Sequence, residues 1–196
     1  MDRPIRPLFP SWFRDEVQVQ SFVIASDRQN DADVLAMNGA SAALCLSPLP
    51  FEGPIGSVRL GRVEDKFIPF PTQDELEESD LDLIVSGSKE AILMIEGFAR
   101  EMPEDLMLEA LREAHKYVAE LCDLQIELCE KVGVVKREYE VPPDDGLYDR
   151  VKEGYYDDLR TAMQTAGKQD RSDAKAALKA RVTAELIPDP NAEDAI

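Results

Sequence analysis

The sequence is poor in the residues from which metal centres, disulfide frameworks and membrane spans are built. It has one histidine, His115, and three cysteines, Cys45, Cys122 and Cys129, in 196 residues. The cysteines are odd in number and lack the CxxC spacing of a zinc site. They read as reduced thiols of a cytoplasmic protein, mostly carried on helices, and no structural zinc is expected. No segment approaches the roughly 18 continuous apolar residues that a membrane helix needs. The opening Met1-Asp2-Arg3-Pro4 has no apolar h-region, so no secretory signal is expected. P-loop, GxGxxG, HExxH and nucleophile-elbow motifs are missing, as are internal repeats and low-complexity tracts. Lys and Arg are scarce, 22 against 40 Asp and Glu, for a net charge of −18.

What is present is enough for a core. Hydrophobic residues make up 44% and charged residues 32%, which excludes compositional disorder and allows one domain, or one with a small appendage. The charge is concentrated. Residues 1–71 and 146–196 each carry a net −2, whereas residues 72–145 carry 7 basic and 21 acidic side chains, a net −14. That middle is a solvated acidic surface that repels phosphate backbones. Nucleic-acid contact has to come from locally placed Arg and Lys, chiefly near the N-terminus.

Periodicity predicts mixed α and β structure. The stretch Asp2–Pro10 holds three prolines and reads as a short turn or broken helix presenting Arg3 and Arg6. Glu16–Ala25 begins with strict alternation and ends apolar, which predicts a strand with a buried far end. A helix over Val34–Ser47 is expected, capped by Asn30 or Asp31, with close packing compensating the helix cost of Gly39. Ser57–Val63 and Lys66–Phe70 form a hairpin about Glu64-Asp65, with Pro69 placing the second strand at an edge. Thr72-x-x-Glu75 is a capping box. Leu81–Val85 and Ala91–Glu96 form a second hairpin. Pro103 opens a long helix whose stripe is Met107, Leu111, Ala114, Val118, Leu121, Leu128 and Val132, stopped by Gly133. Val134–Pro143 reads as a linker. Helices follow from Leu147 to near Gly167 and from about Ser172 to Ile187, the second with Ala176, Leu178, Val182 and Leu186 as its apolar positions. They form a hairpin too small to bury much alone.

Five motifs in order carry a resemblance. They are Asp2-Arg3-Pro4-Ile5-Arg6-Pro7-Leu8-Phe9-Pro10, then Glu16-Val17-Gln18-Val19, then Asp33-Val34-Leu35-Ala36-Met37 with Gly39-Ala40-Ser41-Ala42-Ala43-Leu44. Gly53-Pro54-Ile55-Gly56 and Asp74-Glu75-Leu76-Glu77-Glu78-Ser79-Asp80-Leu81-Asp82-Leu83 complete the set. In this order the sequence resembles polynucleotide phosphorylase (polyribonucleotide nucleotidyltransferase). The resemblance implies an α/β (α+β) fold. It places a partial RNase PH-like (ribosomal protein S5 domain 2-like) core over residues 1–133, a linker over 134–143, an all-α RNA-associated helical domain over 144–187, and a frayed tail over 188–196.

The resemblance also implies an activity: Mg²⁺-assisted 3′→5′ phosphorolysis of RNA, with inorganic phosphate as co-substrate and nucleoside diphosphates as products. It implies a cytoplasmic homotrimeric ring acting in mRNA degradation, sometimes with RNA-degradation assembly partners, and with neither a membrane nor DNA. The family's opening strands, its arginine-rich loop, its second core domain and its KH and S1 modules have no counterpart here. The family's phosphate and Mg²⁺ residues lie in that second core domain, so no catalytic residue and no metal ligand is assigned. Asn38 stands where the family usually has an aliphatic residue.

Arg3 and Arg6 match family arginines near the RNA and phosphate path. Guanidinium groups contact phosphate bidentately, and neighbouring prolines limit the entropy lost on binding. Ion pairing with the acidic middle is the competing reading. Arg59 and Arg62, three apart on a strand, point to opposite faces and read as solvated or ion-paired. Asp74, Glu75, Glu77, Glu78, Asp80 and Asp82 read as a solvated acidic loop. His115 reads as structural or solvent-facing, and Cys122 and Cys129 as packing residues. Tyr148, Tyr155 and Tyr156 either stack on bases or belong to the hairpin's apolar face.

Three functions remain open on these residues. The first is a non-catalytic scaffold segment of a phosphorolytic exoribonuclease. The second is a non-catalytic RNA- or protein-binding assembly module. The third is an acidic interaction domain with no nucleic-acid role. Unpaired strand edges are expected to leave the isolated chain marginally stable or oligomeric.

Overall fold

The computed structural model describes residues 1–141 and 143–187, so the expected tail at 188–196 lies outside the described residues. The chain divides into two compact units, Met1–Glu140 and Val141–Ile196. The first is mixed α/β. Its strands β1 (Gly56–Val63), β2 (Lys66–Pro69), β3 (Leu81–Gly87) and β4 (Ile92–Ala99) form one antiparallel sheet in the order β2-β1-β3-β4. Both expected hairpins form. Glu64 and Asp65 take φ of 47° and 63°, the left-handed pair that a two-residue hairpin turn needs. The edge position of β2 accommodates Pro69.

Alternation sends Val58, Leu60, Leu81, Leu83 and Val85 to one face. The long helix spanning Glu104–Val132 lies across that face through Ala110, Ala114, Val118 and Cys122, all buried. These small side chains let the helix backbone reach the sheet. A Cβ added at Gly56 would lie 2.3 Å from the Val118 carbonyl oxygen. The stripe expected further along is not all buried: Leu128 and Val132 are exposed, because the helix outruns the sheet it covers. Gly133 ends it in the left-handed conformation, φ 70°.

A second cluster gathers Ile5, Ala40, Leu44, Cys45, Phe51 and Ile55. It joins a short helix at Asp2–Ile5, a 3₁₀ turn at Arg6–Leu8 and a helix at Asp33–Leu46. The last of these starts without the expected Asn30 or Asp31 cap. The Asn30 side chain instead donates to the carbonyls of Phe70 and Pro71, and Asp31 turns to Arg59. Nor is Gly39 a close-packing residue: it is exposed, and a Cβ added there would meet nothing within 4 Å, while Ala40 and Ser41 beside it are buried. The capping box at Thr72–Glu75 forms and opens a helix over Gln73–Glu78.

The strand expected over Glu16–Ala25 is absent; the segment has no regular structure. Val17 and Val19 pack on the second cluster. Phe22, Val23 and Ile24 are bare, at 79%, 61% and 96% exposure, rather than buried. Alternation alone does not make a strand when no neighbouring edge accepts its amides. The stretch expected as a linker also begins later than residue 134. Lys136 Nζ donates to the carbonyls of Leu44, Cys45 and Ser47 at 3.2, 2.9 and 3.0 Å, and Tyr139 packs on Trp12 and Phe13.

The second unit is a helical pair, Leu147–Met163 and Lys168–Leu186. The later helix starts four residues before the expected Ser172, and Ala176 is exposed rather than part of its apolar face. Among the described residues of this unit only Ala162 is fully buried. Among all described residues, no helix is long and apolar enough to cross a membrane.

Candidate nucleic-acid interface

Pro4 and Ile5 are buried, which anchors the first helix and leaves Arg3 and Arg6 outside. The Leu8 carbonyl accepts from Glu52 N–H at 2.8 Å, fixing the turn to the sheet-forming part of the unit. Arg6 grips Asp2 bidentately, Nη2 to Oδ1 at 2.8 Å and Nε to Oδ2 at 3.1 Å. Arg3 pairs with Glu96 of β4. All four side chains are well exposed. Ion pairs in such positions are worth about 0–1 kcal/mol, so a phosphate competes for either guanidinium at little cost.

The two arginines are not equivalent. Arg6 lines an open groove of about 740 Å³, together with Ile5, Phe9, Phe13, Val17 and Val19, and Arg3 does not. Phe9 and Phe13 stack with centroids 5.5 Å apart and form an aromatic wall. Asp2, Asp15 and Glu16 also line the groove, so its field is mixed rather than basic. Neither Phe13 nor Val17 stood out in the sequence as a site residue. They join Arg6 only because the irregular segment returns over the first helix.

The other candidates have structural employment. Arg59 is largely buried and makes a bidentate bond to Asp82 at 2.8 and 2.7 Å, with Asp31 paired as well. The Asp82 hydrogen bond holds its guanidinium well above the ordinary arginine range. Arg62 pairs with Asp80 and Asp65. The carboxylates of the acidic loop are therefore dispersed: Asp80 and Asp82 serve arginines, Glu75 caps a helix, and Asp74, Glu77 and Glu78 face solvent. Among the described residues, no group of three or more His, Cys, Asp or Glu is placed to hold a metal ion.

His115 Nε2 meets the Ser88 carbonyl at 3.2 Å and ties the long helix to the β3–β4 turn. Cys45 and Cys122 are buried, and burial pushes both thiols up to about 11. They are packing residues rather than nucleophiles. In the second unit Tyr155 is half-buried and donates to Glu185 at 2.5 Å, whereas Tyr148 and Tyr156 are exposed.

Residues 53–117, which span the whole four-stranded sheet and the start of the long helix, match the model of the 3′ exoribonuclease family, domain 2. The polyribonucleotide nucleotidyltransferase of Rhodopirellula baltica is 58% identical over 196 residues, 100% of this chain and 26% of the relative. The chain is similar to polyribonucleotide nucleotidyltransferases from end to end. That of Nitratidesulfovibrio vulgaris (strain Miyazaki F) is 44% identical over 191 residues, 97% of this chain and 25% of the relative. The Bacillus velezensis enzyme is 44% identical over 197 residues, 100% of this chain and 28% of the relative. The chain thus spans about a quarter of the length of the curated relatives it matches. A crystal structure of Rrp46 from rice superposes with a TM-score of 0.47 at 14% identity, over 52% of this chain and 49% of that one.

Proposed function

We propose that this chain is a segment of a phosphorolytic 3′→5′ exoribonuclease, a polyribonucleotide nucleotidyltransferase acting in mRNA degradation in the cytoplasm. The observation that carries the reading is the 58% identity to a polyribonucleotide nucleotidyltransferase over an alignment that covers the whole of this chain. In such an enzyme inorganic phosphate attacks the terminal phosphodiester, a nucleoside diphosphate leaves, and the reaction reverses to polymerise. Mg²⁺ assists from ligands elsewhere in the full-length enzyme, and the working assembly is a homotrimeric ring. This chain's own part is non-catalytic. Its sheet and long helix hold the shape of the core, its helical pair forms an RNA-associated domain, and Arg3 and Arg6 contact RNA phosphates.

The exposure and mixed field of the Arg6 groove support contact that is positional rather than chemical: the guanidinium is free to exchange Asp2 for a phosphate. Filter binding of poly(A) across a salt series tests the contact. Each phosphate neutralised on a single strand contributes a slope of about −0.7 in log affinity against log salt, so Arg3→Gln with Arg6→Gln should flatten it by about 1.4. An affinity indifferent to salt, or a slope untouched by the double substitution, removes the two arginines from the RNA path.

The bare run Phe22-Val23-Ile24 favours a second reading, an assembly module that binds protein. Pull-downs that recover proteins insensitively to ribonuclease would favour it.

A further inference from the structure

Two helices alone enclose no core, and among its described residues the helical pair fully buries only Ala162. Apolar side chains are therefore left open along the seam between Leu147–Met163 and Lys168–Leu186, where they line a groove of about 460 Å³. Val151, Tyr155 and Leu159 come from the first helix, four residues apart, and Leu178 and Val182 from the second at the same spacing. Leu159 is 47% exposed and the other four are half-buried. From Tyr148 to Leu159 the seam runs about 16 Å along the helix axis, three helical turns.

The charged residues at the groove are of one sign. Lys152, Lys175 and Lys179 form an exposed rim, and no carboxylate is among the described residues that line it. Asp149, Glu153 and Asp157 run four apart on the first helix, each one residue beyond Tyr148, Lys152 and Tyr156, a step that turns them about 100° away. The ion pairs of the unit leave the rim out. Arg181 takes Asp158 and lies 3.9 Å from Glu185, and among the described residues none of the three rim lysines has a carboxylate within ion-pairing distance. Lys152 rests instead 5.8 Å from the centroid of the Tyr148 ring.

An apolar seam between two helices is the shape that a third helix fills, its ridge lying in their groove. The rim decides which helix. A second copy of the same face would set lysine against lysine. A ribose-phosphate strand would lay its charges over valine and leucine, which give them no partner. A helix with an apolar stripe flanked by carboxylates satisfies both the seam and the rim. We infer that this groove is a docking site for an acidic amphipathic helix of a partner protein, about three turns long, with its stripe on Val151, Tyr155, Leu159 and Val182 and its acids on Lys152, Lys175 and Lys179. The inference goes beyond the exoribonuclease reading and does not rest on it.

The test is fluorescence anisotropy of the full chain with two labelled helical peptides that share leucines at i, i+4, i+7 and i+11 and differ only in their flanks, glutamate in one and lysine in the other. The acidic peptide should bind saturably, with a Kd below about 1 mM, and the basic one about tenfold more weakly at low salt. The gap should narrow as salt is added. Reversing the rim with Lys152→Glu, Lys175→Glu and Lys179→Glu together should invert the preference, while Leu159→Ser should weaken both peptides at every salt concentration. Far-UV circular dichroism checks that each variant keeps its helices, and amide shifts on adding the acidic peptide should fall within residues 148–183. No binding of the acidic peptide, equal binding of the two, or a preference that survives reversal of the rim overturns the inference. So does displacement of the peptide by oligo(A), or a dimer of the chain that Leu159→Ser dissolves, since either gives the groove another occupant. Each of these results leaves the exoribonuclease reading standing.

Discussion

The carboxamide of Asn38 satisfies both backbone groups of Ser57: its Nδ2 donates to the Ser57 carbonyl and its Oδ1 accepts from the Ser57 N–H, each at 2.8 Å. The pairing partner that would otherwise take these groups has run out. Phe70, just beyond β2, donates to the Arg59 carbonyl, and two residues further back along β1 the same side of the strand is open. A side chain from the helix Asp33–Leu46 thus stands in for a missing length of strand. Asn38→Leu restores an aliphatic residue but orphans a backbone donor and acceptor. It should lower stability by about 1–3 kcal/mol, read as a lower urea midpoint with unchanged slope.

Two glycines should answer oppositely to alanine. Gly56→Ala drives a Cβ into the Val118 carbonyl, which belongs to helix backbone and has no rotamer to escape through. Overpacking of this kind costs about 1–3 kcal/mol. Gly39→Ala meets open space on an exposed helix face and should raise stability by about 0.5–1 kcal/mol. Thermal melts of the two variants check both signs. A stable Gly56→Ala chain would mean that the long helix does not touch β1 as described.

The buried thiols predict an alkaline limb. Cys45 and Cys122 ionise near 9.0 when exposed and only near 11 when folded, because burial disfavours the thiolate. Their contribution is full below pH 9. It is lost as the pH rises through 9 to 11, since the unfolded chain releases those protons first. Urea midpoints should fall across that window. In the native protein a pyridyl disulfide should label Cys129, which is only half-buried, well before the other two.

Glu75 works at the other end of the scale. Bonds from Thr72, its backbone N–H first and its hydroxyl second, hold the carboxylate below the ordinary glutamate value of 4.5. A depressed carboxylate stabilises at pH above its unfolded value and loses that contribution as the pH falls through the folded one. Thr72→Ala should therefore reduce the acid sensitivity of stability below pH 4.5. An acid limb identical in both proteins would show that the capping box is not formed in solution.

The elements readable from sequence were those with a self-contained local cause. The Glu64-Asp65 turn, the Thr72–Glu75 box and the Gly133 stop each need only neighbours a few residues away. What failed depended on distant partners. Glu16–Ala25 alternates like a strand, yet a strand is made by the edge it joins. Asn30 and Asp31 are good caps that found better employment with Phe70, Pro71 and Arg59. The candidate site followed the same logic. The proline-flanked arginines were visible, but the groove around Arg6 is assembled from Phe13, Val17 and Val19 by a segment with no regular structure.

If this chain shapes and contacts the RNA path but cleaves no bond, it should be inert as a phosphorolytic enzyme on its own. The decisive assay incubates the purified chain with poly(A), inorganic phosphate and Mg²⁺ and separates the nucleotides by chromatography. RNA of unchanged length and no ADP is the expected outcome. Phosphate-dependent appearance of ADP would show that the chain carries the chemistry itself.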